Sequence, residues 1–178
     1  MIWKVILPAL NKSITPIQIA VFVIWIVLTL AAFAYFIDSK LVNFNDGTKI
    51  TYLDPQKLSA SLTQYIEPSS RSSILHFNQA NCQCQQYSEA HIKDINDIAT
   101  ANNFNVKHIS LEDHTILPAT PSVAILNSLG EVVYYGPYGE GLACSQTSGF
   151  AQTMLSNFIK GYSADLIIKE AQGCYCKV

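Results

Sequence analysis

The sequence predicts a small α/β domain, in which helices flank a central mixed sheet, preceded by one N-terminal transmembrane helix. Two observations lead to this prediction. Residues 17–37 form one long uncharged apolar segment, and from residue 73 onward short apolar runs alternate with segments of helical periodicity. A length of 178 residues suits one membrane segment followed by one small domain.

The apolar segment has the length of a membrane span. No charged residue occurs between Lys12 and Asp38, and about 20 residues at about 1.5 Å each cross a hydrocarbon core of about 30 Å. A cleaved signal peptide is the competing interpretation, because residues 32–34 read Ala-Phe-Ala, a small-x-small pattern. The apolar run is longer than the roughly 7–15 residues of a signal core and continues past that pattern. We therefore expect an uncleaved anchor.

The membrane segment divides the chain into four parts. These are a short N-terminal tail at 1–16, the transmembrane helix at 17–37, a linker at 38–72 that contains a short amphipathic element, and the folded domain at 73–178. The amphipathic element covers about residues 55–66, where apolar side chains recur at helical spacing.

The folded domain is predicted to contain a strand–helix–strand unit, a hairpin and a C-terminal helical region. The expected elements are a strand at 73–78, a helix at about 82–102, strands at 105–110 and 121–126, a turn at 127–130, a return strand at 131–135, a glycine-rich loop at 137–149 and helices at about 150–160 and 164–172.

The pattern of cysteines indicates a reactive site in this domain. Four of the five cysteines form two Cys-x-Cys pairs, Cys82 with Cys84 and Cys174 with Cys176, and the fifth is Cys144 in the glycine-rich loop. The first pair lies where a strand ends and a helix is predicted to begin. A helix N-terminus favours a thiolate over a thiol, so a cysteine there becomes nucleophilic at neutral pH. Packing as a small core residue is the alternative role, but it does not account for two pairs with the same spacing.

These motifs resemble the thioredoxin superfamily, and within it small membrane-tethered thioredoxin-like proteins of bacterial envelopes that are mostly uncharacterised. Phe77 lies five residues before Cys82, Thr120-Pro121 precedes an apolar strand, and a hairpin follows. The resemblance covers about residues 73–160. It implies a thioredoxin-like fold, a nucleophilic Cys82, and a cis Pro121 that faces the sulfur and accepts an extended substrate strand.

The chain departs from the thioredoxin pattern at the second cysteine. The position three residues after Cys82 is Gln85, and the second thiol is Cys84 instead. We expect Cys84 to take the resolving role and to form a labile disulfide with Cys82, provided that Cys82 lies at the helix cap and not inside the helix.

The position of the remaining cysteines is left open. The loop at 137–149 should reach over the edge that holds Cys82, and bring Cys144 with it. If the chain turns back after residue 160, Cys174 and Cys176 arrive at the same edge and serve as a relay or disulfide. If the last helix runs straight on, they form a distant disulfide or metal clip.

Three function classes follow from these residues. The first is thiol–disulfide exchange by Cys82, Cys84 and Pro121, which requires no cofactor. The second is binding of copper or zinc by soft sulfurs, with Cys82, Cys84 and His114 as the candidate ligands. The third is a non-catalytic domain whose disulfides only stabilise a small fold.

Charge and cysteine content limit partners and location. The net charge is −2 and no basic stripe is present, so nucleic acid is not an expected partner. The expected partners are the membrane and protein thiols or disulfides. Because paired cysteines suit a compartment where disulfides form, and the lysines favour a cytoplasmic N-terminus only slightly, we expect a single-pass protein of the bacterial inner membrane with its C-terminal domain in the periplasm.

Overall fold

The computed structural model describes residues 15–45, 47, 53–67, 71–111, 117–141, 149–162 and 165–178. The chain falls into two compact units, Met1–Ser39 and Lys40–Val178. The helices are α1 Pro16–Asp38, α2 Pro55–Leu62, α3 Glu89–Ala101 and α4 Phe150–Ile159. The strands are β1 Val42–Asn43, β2 Ser73–Gln79, β3 Asn105–Leu111, β4 Ala119–Thr120, β5 Ser122–Leu126, β6 Val132–Gly136, β7 Leu166–Ile167, β8 Gln172–Gly173 and β9 Cys176–Lys177.

The first unit contains α1, whose ends lie one residue beyond those predicted. Thr15 and Gln18 form a capping box, and Pro16 begins the helix, where its missing N–H is not needed. None of the α1 side chains is buried, and the mean hydropathy of its most apolar window is 2.6. By length and composition, α1 is long enough and apolar enough to cross a membrane.

The second unit is built on a five-stranded mixed sheet with the order β3-β2-β5-β6-β7. β2 pairs with β3 in parallel, and β5 is antiparallel to both β2 and β6. This order and these directions are those of a thioredoxin-like sheet, so the predicted fold class is confirmed. Because β2 and β3 run in parallel, both end at the same edge of the sheet, and β5 starts there.

Helices cover both faces of this sheet. Leu75 and Phe77 of β2 face a core that includes Leu58 and Leu62 of α2. Ile74 faces the other core, which is formed with α3 and α4. The alternation follows from the two-residue period of a strand, and it fixes the end of β2 between two packed layers.

Two predicted helices differ in the structure. The region after residue 82 begins as a 3₁₀ helix, Gln83–Ser88, and becomes α-helical only at Glu89. No helix is found in the described part of the segment predicted as 164–172. Leu166 and Ile167 instead add a parallel strand to β6, because the edge of β6 offers unpaired backbone groups. The amide of Ile168 donates to the carbonyl of Tyr135 at 2.9 Å.

The last eight residues, here called the C-terminal arm (residues 171–178), pair with two short strands outside the main sheet. β8 is antiparallel to β1, with Val42 opposite Gly173. β9 is antiparallel to β4, with Thr120 opposite Cys176. The arm therefore returns to the sheet edge at which β2 ends.

Candidate functional site

Cys82 lies just beyond the end of β2, in a tight turn. Asn81 adopts a left-handed conformation with φ of 68°, which asparagine tolerates better than most residues. Cys82 follows in an extended conformation and caps the 3₁₀ helix. Its side chain therefore starts outside the helix, as sequence analysis required for a bond to a neighbouring sulfur, and it is half-buried.

Each sulfur of the first pair is bonded to a sulfur of the second pair. Cys82 is joined to Cys176 with a Cα–Cα distance of 5.8 Å, and Cys84 is joined to Cys174 with a Cα–Cα distance of 5.4 Å. Both distances fall within the usual range for disulfides. The expected bond between Cys82 and Cys84 is therefore replaced by two bonds to the C-terminal arm. The physical reason is that side chains two residues apart at a helix start diverge, whereas the arm presents a sulfur to each.

The arm presents its two sulfurs to the first motif from two short strands, β8 and β9, which a bend at Cys174 separates. Burial alternates along it: Gly173 and Tyr175 are buried, and Cys174 and Cys176 are half-exposed. The two cysteines therefore share the more exposed side of the arm. The two Cys-x-Cys motifs run in opposite directions, so the first cysteine of one bonds to the second of the other.

Tyr175 anchors the arm between the two cysteines. The residue is 7% exposed, and its ring packs edge-on against Phe44, with ring centroids 5.2 Å apart. Its hydroxyl donates to the carbonyl of Gly139 at 2.7 Å. Gly173 permits this packing, since a Cβ at that position would come within 2.7 Å of the Tyr175 ring.

Thr120 and Pro121 form the wall on the other side of Cys82. The peptide bond between them is cis, as the resemblance implied. The carbonyl oxygen of Thr120 lies 3.8 Å from Sγ of Cys82, and Thr120 and Pro121 are both buried. The Thr120 hydroxyl has no hydrogen-bond partner within the described residues. Thr120 therefore contacts Cys82 through its carbonyl and pairs with Cys176 across β4 and β9. Pro121 is the next residue in the chain.

Two of the predicted candidates lie outside the described residues. These are Cys144, in the segment 142–148, and His114, in the segment 112–116. The described beginning of the glycine-rich loop does reach the arm, because the amide of Gly141 donates to the carbonyl of Gln172 at 2.9 Å. Gly141 has a φ of +84°, a conformation that glycine adopts without strain.

A soft metal ion is chemically compatible with part of this site. The Sγ atoms of Cys82, Cys84 and Cys176 lie within 4.8 Å of one another. Thiolates are ligands for zinc and copper(I), but only reduced cysteines supply them. In the disulfide-bonded state Cys82 and Cys176 are bonded to each other and Cys84 is bonded to Cys174, so none of the three is a thiolate.

His76 belongs to a separate buried network on the α3 face of β2. Its Nδ1 is 2.6 Å from the hydroxyl of Tyr138, and its Nε2 is 2.9 Å from Oδ1 of Asn96. Burial, together with the nearby His108, lowers the pKa of His76 to about 4. These contacts give His76 a structural role in the packing of β2 against α3.

Sequence reasoning missed the pairing of the two motifs and the roles of Thr120 and Tyr175. One signal was available: two motifs of equal spacing match each other residue for residue when they run antiparallel. Tyr175, an aromatic residue between two cysteines, was the second sign that one side of the arm is buried.

Comparison with known proteins places the chain in a family. The sequence pattern of the family described as "Domain of unknown function (DUF6436)" matches residues 52–178. The chain belongs to this DUF6436 family. The matched residues include both Cys-x-Cys motifs and Pro121.

Other comparisons add one distant likeness. No curated protein is detectably similar to the chain. The solved structure of a disulphide isomerase from Xylella fastidiosa Temecula1 is similar over 65% of this chain and 93% of that chain, with 20% identity and a TM-score of 0.33. The order and direction of the strands in this DUF6436 domain, and not that likeness, support the thioredoxin-like fold.

Proposed function

We propose that the chain is a membrane-anchored thiol–disulfide oxidoreductase of the bacterial envelope, with its domain in the periplasm. One observation carries the proposal: Cys82, half-buried and beside Thr120-Pro121, is bonded to a cysteine of the chain's own arm, with a second disulfide beside it. Thiol–disulfide exchange needs this proximity, because a thiolate must reach a disulfide sulfur directly.

The proposed reaction starts from the reduced chain. The Cys82 thiolate attacks a disulfide of a partner protein, forms a mixed disulfide and releases one partner thiolate, which takes up a proton. Cys176 then gives up its proton and attacks Sγ of Cys82. That step expels the second partner thiolate and forms the Cys82–Cys176 bond. Two electrons pass to the partner, and Pro121 flanks the strand position at which the partner disulfide is attacked.

Cys84 and Cys174 form a second redox couple in this scheme. Sγ of Cys84 lies within 4.8 Å of the sulfurs of Cys82 and Cys176. When both Cys84 and Cys174 are thiols, Cys84 attacks the Cys82–Cys176 bond and Cys174 completes the exchange. A Cys84–Cys174 disulfide forms and the first couple becomes dithiol again. Cys84, expected from sequence to resolve the mixed disulfide, here becomes the relay cysteine.

Trapping distinguishes these roles. The full chain in detergent is reduced, the reductant is removed, and a disulfide-containing protein is added. Cys176→Ser should accumulate a mixed disulfide at Cys82, because the resolving thiol is missing. Cys84→Ser is the matched control and should clear its adduct at the wild-type rate. Accumulation in Cys84→Ser but not in Cys176→Ser would assign resolution to Cys84. Absence of any adduct in both variants would contradict the oxidoreductase proposal.

Binding of a soft metal is the second candidate function, favoured by the three neighbouring sulfurs. Cys82, Cys84 and Cys176 would hold zinc or copper(I) in the reduced chain, and His114 remains the sequence-based additional ligand. Native mass spectrometry of the reduced full chain, with and without added zinc, tests this function. A stoichiometric adduct that disappears in Cys82→Ser supports it, and exchange activity without any adduct argues for the oxidoreductase alone.

A further inference from the structure

The C-terminal arm occupies the sheet edge beside Cys82 in the way that a separate peptide would. β4 is paired in the described structure with β9 and with no other strand. Cys176 lies directly opposite Thr120 in that pair, and Lys177 lies opposite Ala119. The disulfide partner of Cys82 therefore arrives on an extended, antiparallel segment.

The two cysteine bonds impose a second requirement on any segment at this edge. Cys174 bonds to Cys84 and Cys176 bonds to Cys82, so a segment that is to bond both sulfurs in this way carries two cysteines with one residue between them. A longer spacing would move one of its sulfurs out of register with Cys82 or Cys84.

We propose that the arm holds the place of a partner polypeptide that carries a Cys-x-Cys motif and pairs with β4 at its second cysteine. This inference rests on the proposed function and names its substrate class. A partner motif would lie antiparallel to β4, with its second cysteine at Cys82 and its first at Cys84, after the arm has been displaced.

The exchange balances without an additional reactant. A partner thiolate attacks Sγ of Cys82, and the Cys82–Cys176 bond breaks. A disulfide forms between the partner and Cys82, and Cys176 leaves as a thiolate that takes the proton lost by the partner thiol. The same exchange at Cys84 releases Cys174. Two disulfides and two thiols are present before and after. Cys174 then attacks Sγ of Cys84 and frees one partner thiolate, which attacks the partner sulfur bound to Cys82. The partner leaves oxidised, Cys82 and Cys176 remain as thiols, and two electrons have passed from the partner to the chain, the reverse of the direction proposed above.

The attachment of the arm sets how readily it is displaced. The backbone bonds at the start of the arm are short, with 2.8 Å from the Phe44 amide to the Ala171 carbonyl and 2.9 Å from the Gly141 amide to the Gln172 carbonyl. Those further along are longer, with 3.3 Å from the Cys174 amide to the Gly141 carbonyl and 3.4 Å from the Val178 amide to the Pro118 carbonyl. Beyond the bend the arm is held by the buried ring of Tyr175 and its bond to Gly139, and by Lys177, whose Nζ donates to the carbonyl of Asn43 at 2.6 Å. Displacement thus requires that Tyr175 leave its pocket.

A peptide with the chain's own sequence Gln-Gly-Cys-Tyr-Cys-Lys-Val is the probe for this inference. It is added in oxidising buffer to the full chain in detergent, in the Cys174→Ser/Cys176→Ser variant whose arm cannot form either bond. We expect an adduct held by two disulfides, with the first peptide cysteine on Cys84 and the second on Cys82, as mapped by digestion and mass spectrometry. A peptide with one glycine inserted between tyrosine and the second cysteine is the matched control, and it should lose the second disulfide.

The outcomes distinguish a failure of this inference from a failure of the proposed function. If both peptides form two disulfides to the same extent, or if the pairing is reversed, the Cys-x-Cys inference is wrong while exchange at Cys82 stands. If neither peptide reacts with Cys82, the proposed function fails as well.

Arm displacement is measured in the chain that retains all its cysteines. Tyr175→Phe removes the hydroxyl that bonds to Gly139 and keeps the ring. It should speed the reaction of the reduced Cys-x-Cys peptide with the oxidised chain by roughly two- to tenfold. An unchanged rate would show that the arm does not have to leave before the peptide reacts, and would overturn the displacement step.

Discussion

His76 is buried in the middle of the sheet, where protonation of its imidazole is unfavourable. Its pKa falls to about 4 because burial penalises the charged ring and the neighbouring His108 repels it. In an unfolded chain the pKa of histidine is about 6.5. Between these two pKa values the unfolded state binds a proton that the folded state does not. Folded-state stability is therefore fully present above pH 6.5 and is lost as the pH falls toward 4.

We predict that His76 alone makes the free energy of unfolding fall by about 3 kcal/mol between pH 7 and pH 4. Urea unfolding of the full chain in detergent over this range measures the change. His76→Gln should remove this part of the pH dependence. His108→Gln should retain most of it, because burial and not His108 is the larger cause. A His76→Gln variant with the wild-type slope would contradict the assignment.

Gly173 and Tyr175 test the packing of the arm at single residues. Gly173→Ala places a Cβ 2.7 Å from the tyrosine ring. We expect the free energy of unfolding to fall by about 1–3 kcal/mol. In a Tyr175→Ala background the same glycine substitution should cost much less, because the ring is gone. Urea unfolding of the four proteins in this cycle gives the coupling directly. Equal costs in both backgrounds would show that the two residues do not press on each other.

At the level of elements, the two disulfides are nested, and this limits what the second can add to stability. The outer bond joins residues 94 apart, and the inner bond joins residues 90 apart. A single bond of this span stabilises by about 4–5 kcal/mol in the chain-entropy estimate. Once one is formed, the other closes a ring of about six residues, which is worth about 2 kcal/mol. A domain that needed only a staple would gain little from the second bond.

We therefore predict strongly non-additive effects of removing the bonds. Cys82→Ser/Cys176→Ser and Cys84→Ser/Cys174→Ser should each lower the free energy of unfolding by about 2 kcal/mol, and the variant with all four serines by about 7 kcal/mol. Urea unfolding under oxidising conditions measures the three losses. Two equal single losses that add up to the combined loss would mean that each bond stabilises independently, as separate staples do.

The sheet and its helices could be predicted from sequence, because their signals are local. The apolar run of β2 and the turn before β6 fall within one or two residues of their expected positions. The segment after α4 could not be predicted in this way. Leu166 and Ile167 are apolar enough for a helix face, and only the unpaired edge of β6, far away in sequence, makes them a strand.

The candidate site was predictable in position but not in connectivity. Cys82 and Pro121 were found because their neighbours in sequence fix their place at the end of β2 and the start of β5. The bonds from Cys82 and Cys84 to the arm depend on the path of the whole intervening chain, since the bonded residues are 94 and 90 apart in sequence. No local pattern encodes such a path.

For the whole molecule, α1 and the cysteine-rich domain each favour a particular environment in the cell. A helix with no buried side chain and a mean hydropathy of 2.6 favours a lipid environment. Two disulfides within one small domain favour an oxidising compartment. These two preferences are met together when the helix spans the inner membrane and the domain lies on its periplasmic side.

We predict that the domain thiols face the periplasm. In spheroplasts treated with a reductant, a membrane-impermeant maleimide should label the wild-type chain without lysis, because Cys82 and Cys176 are half-exposed in the domain. The matched control replaces all five cysteines by serine and adds Ser13→Cys, on the other side of the span. That protein should be labelled only after lysis, since the reagent does not cross the bilayer. The reverse pattern, with the domain labelled only after lysis, would place the cysteines in the cytoplasm. Disulfides are not maintained there, so the proposed exchange with envelope proteins would lose its basis.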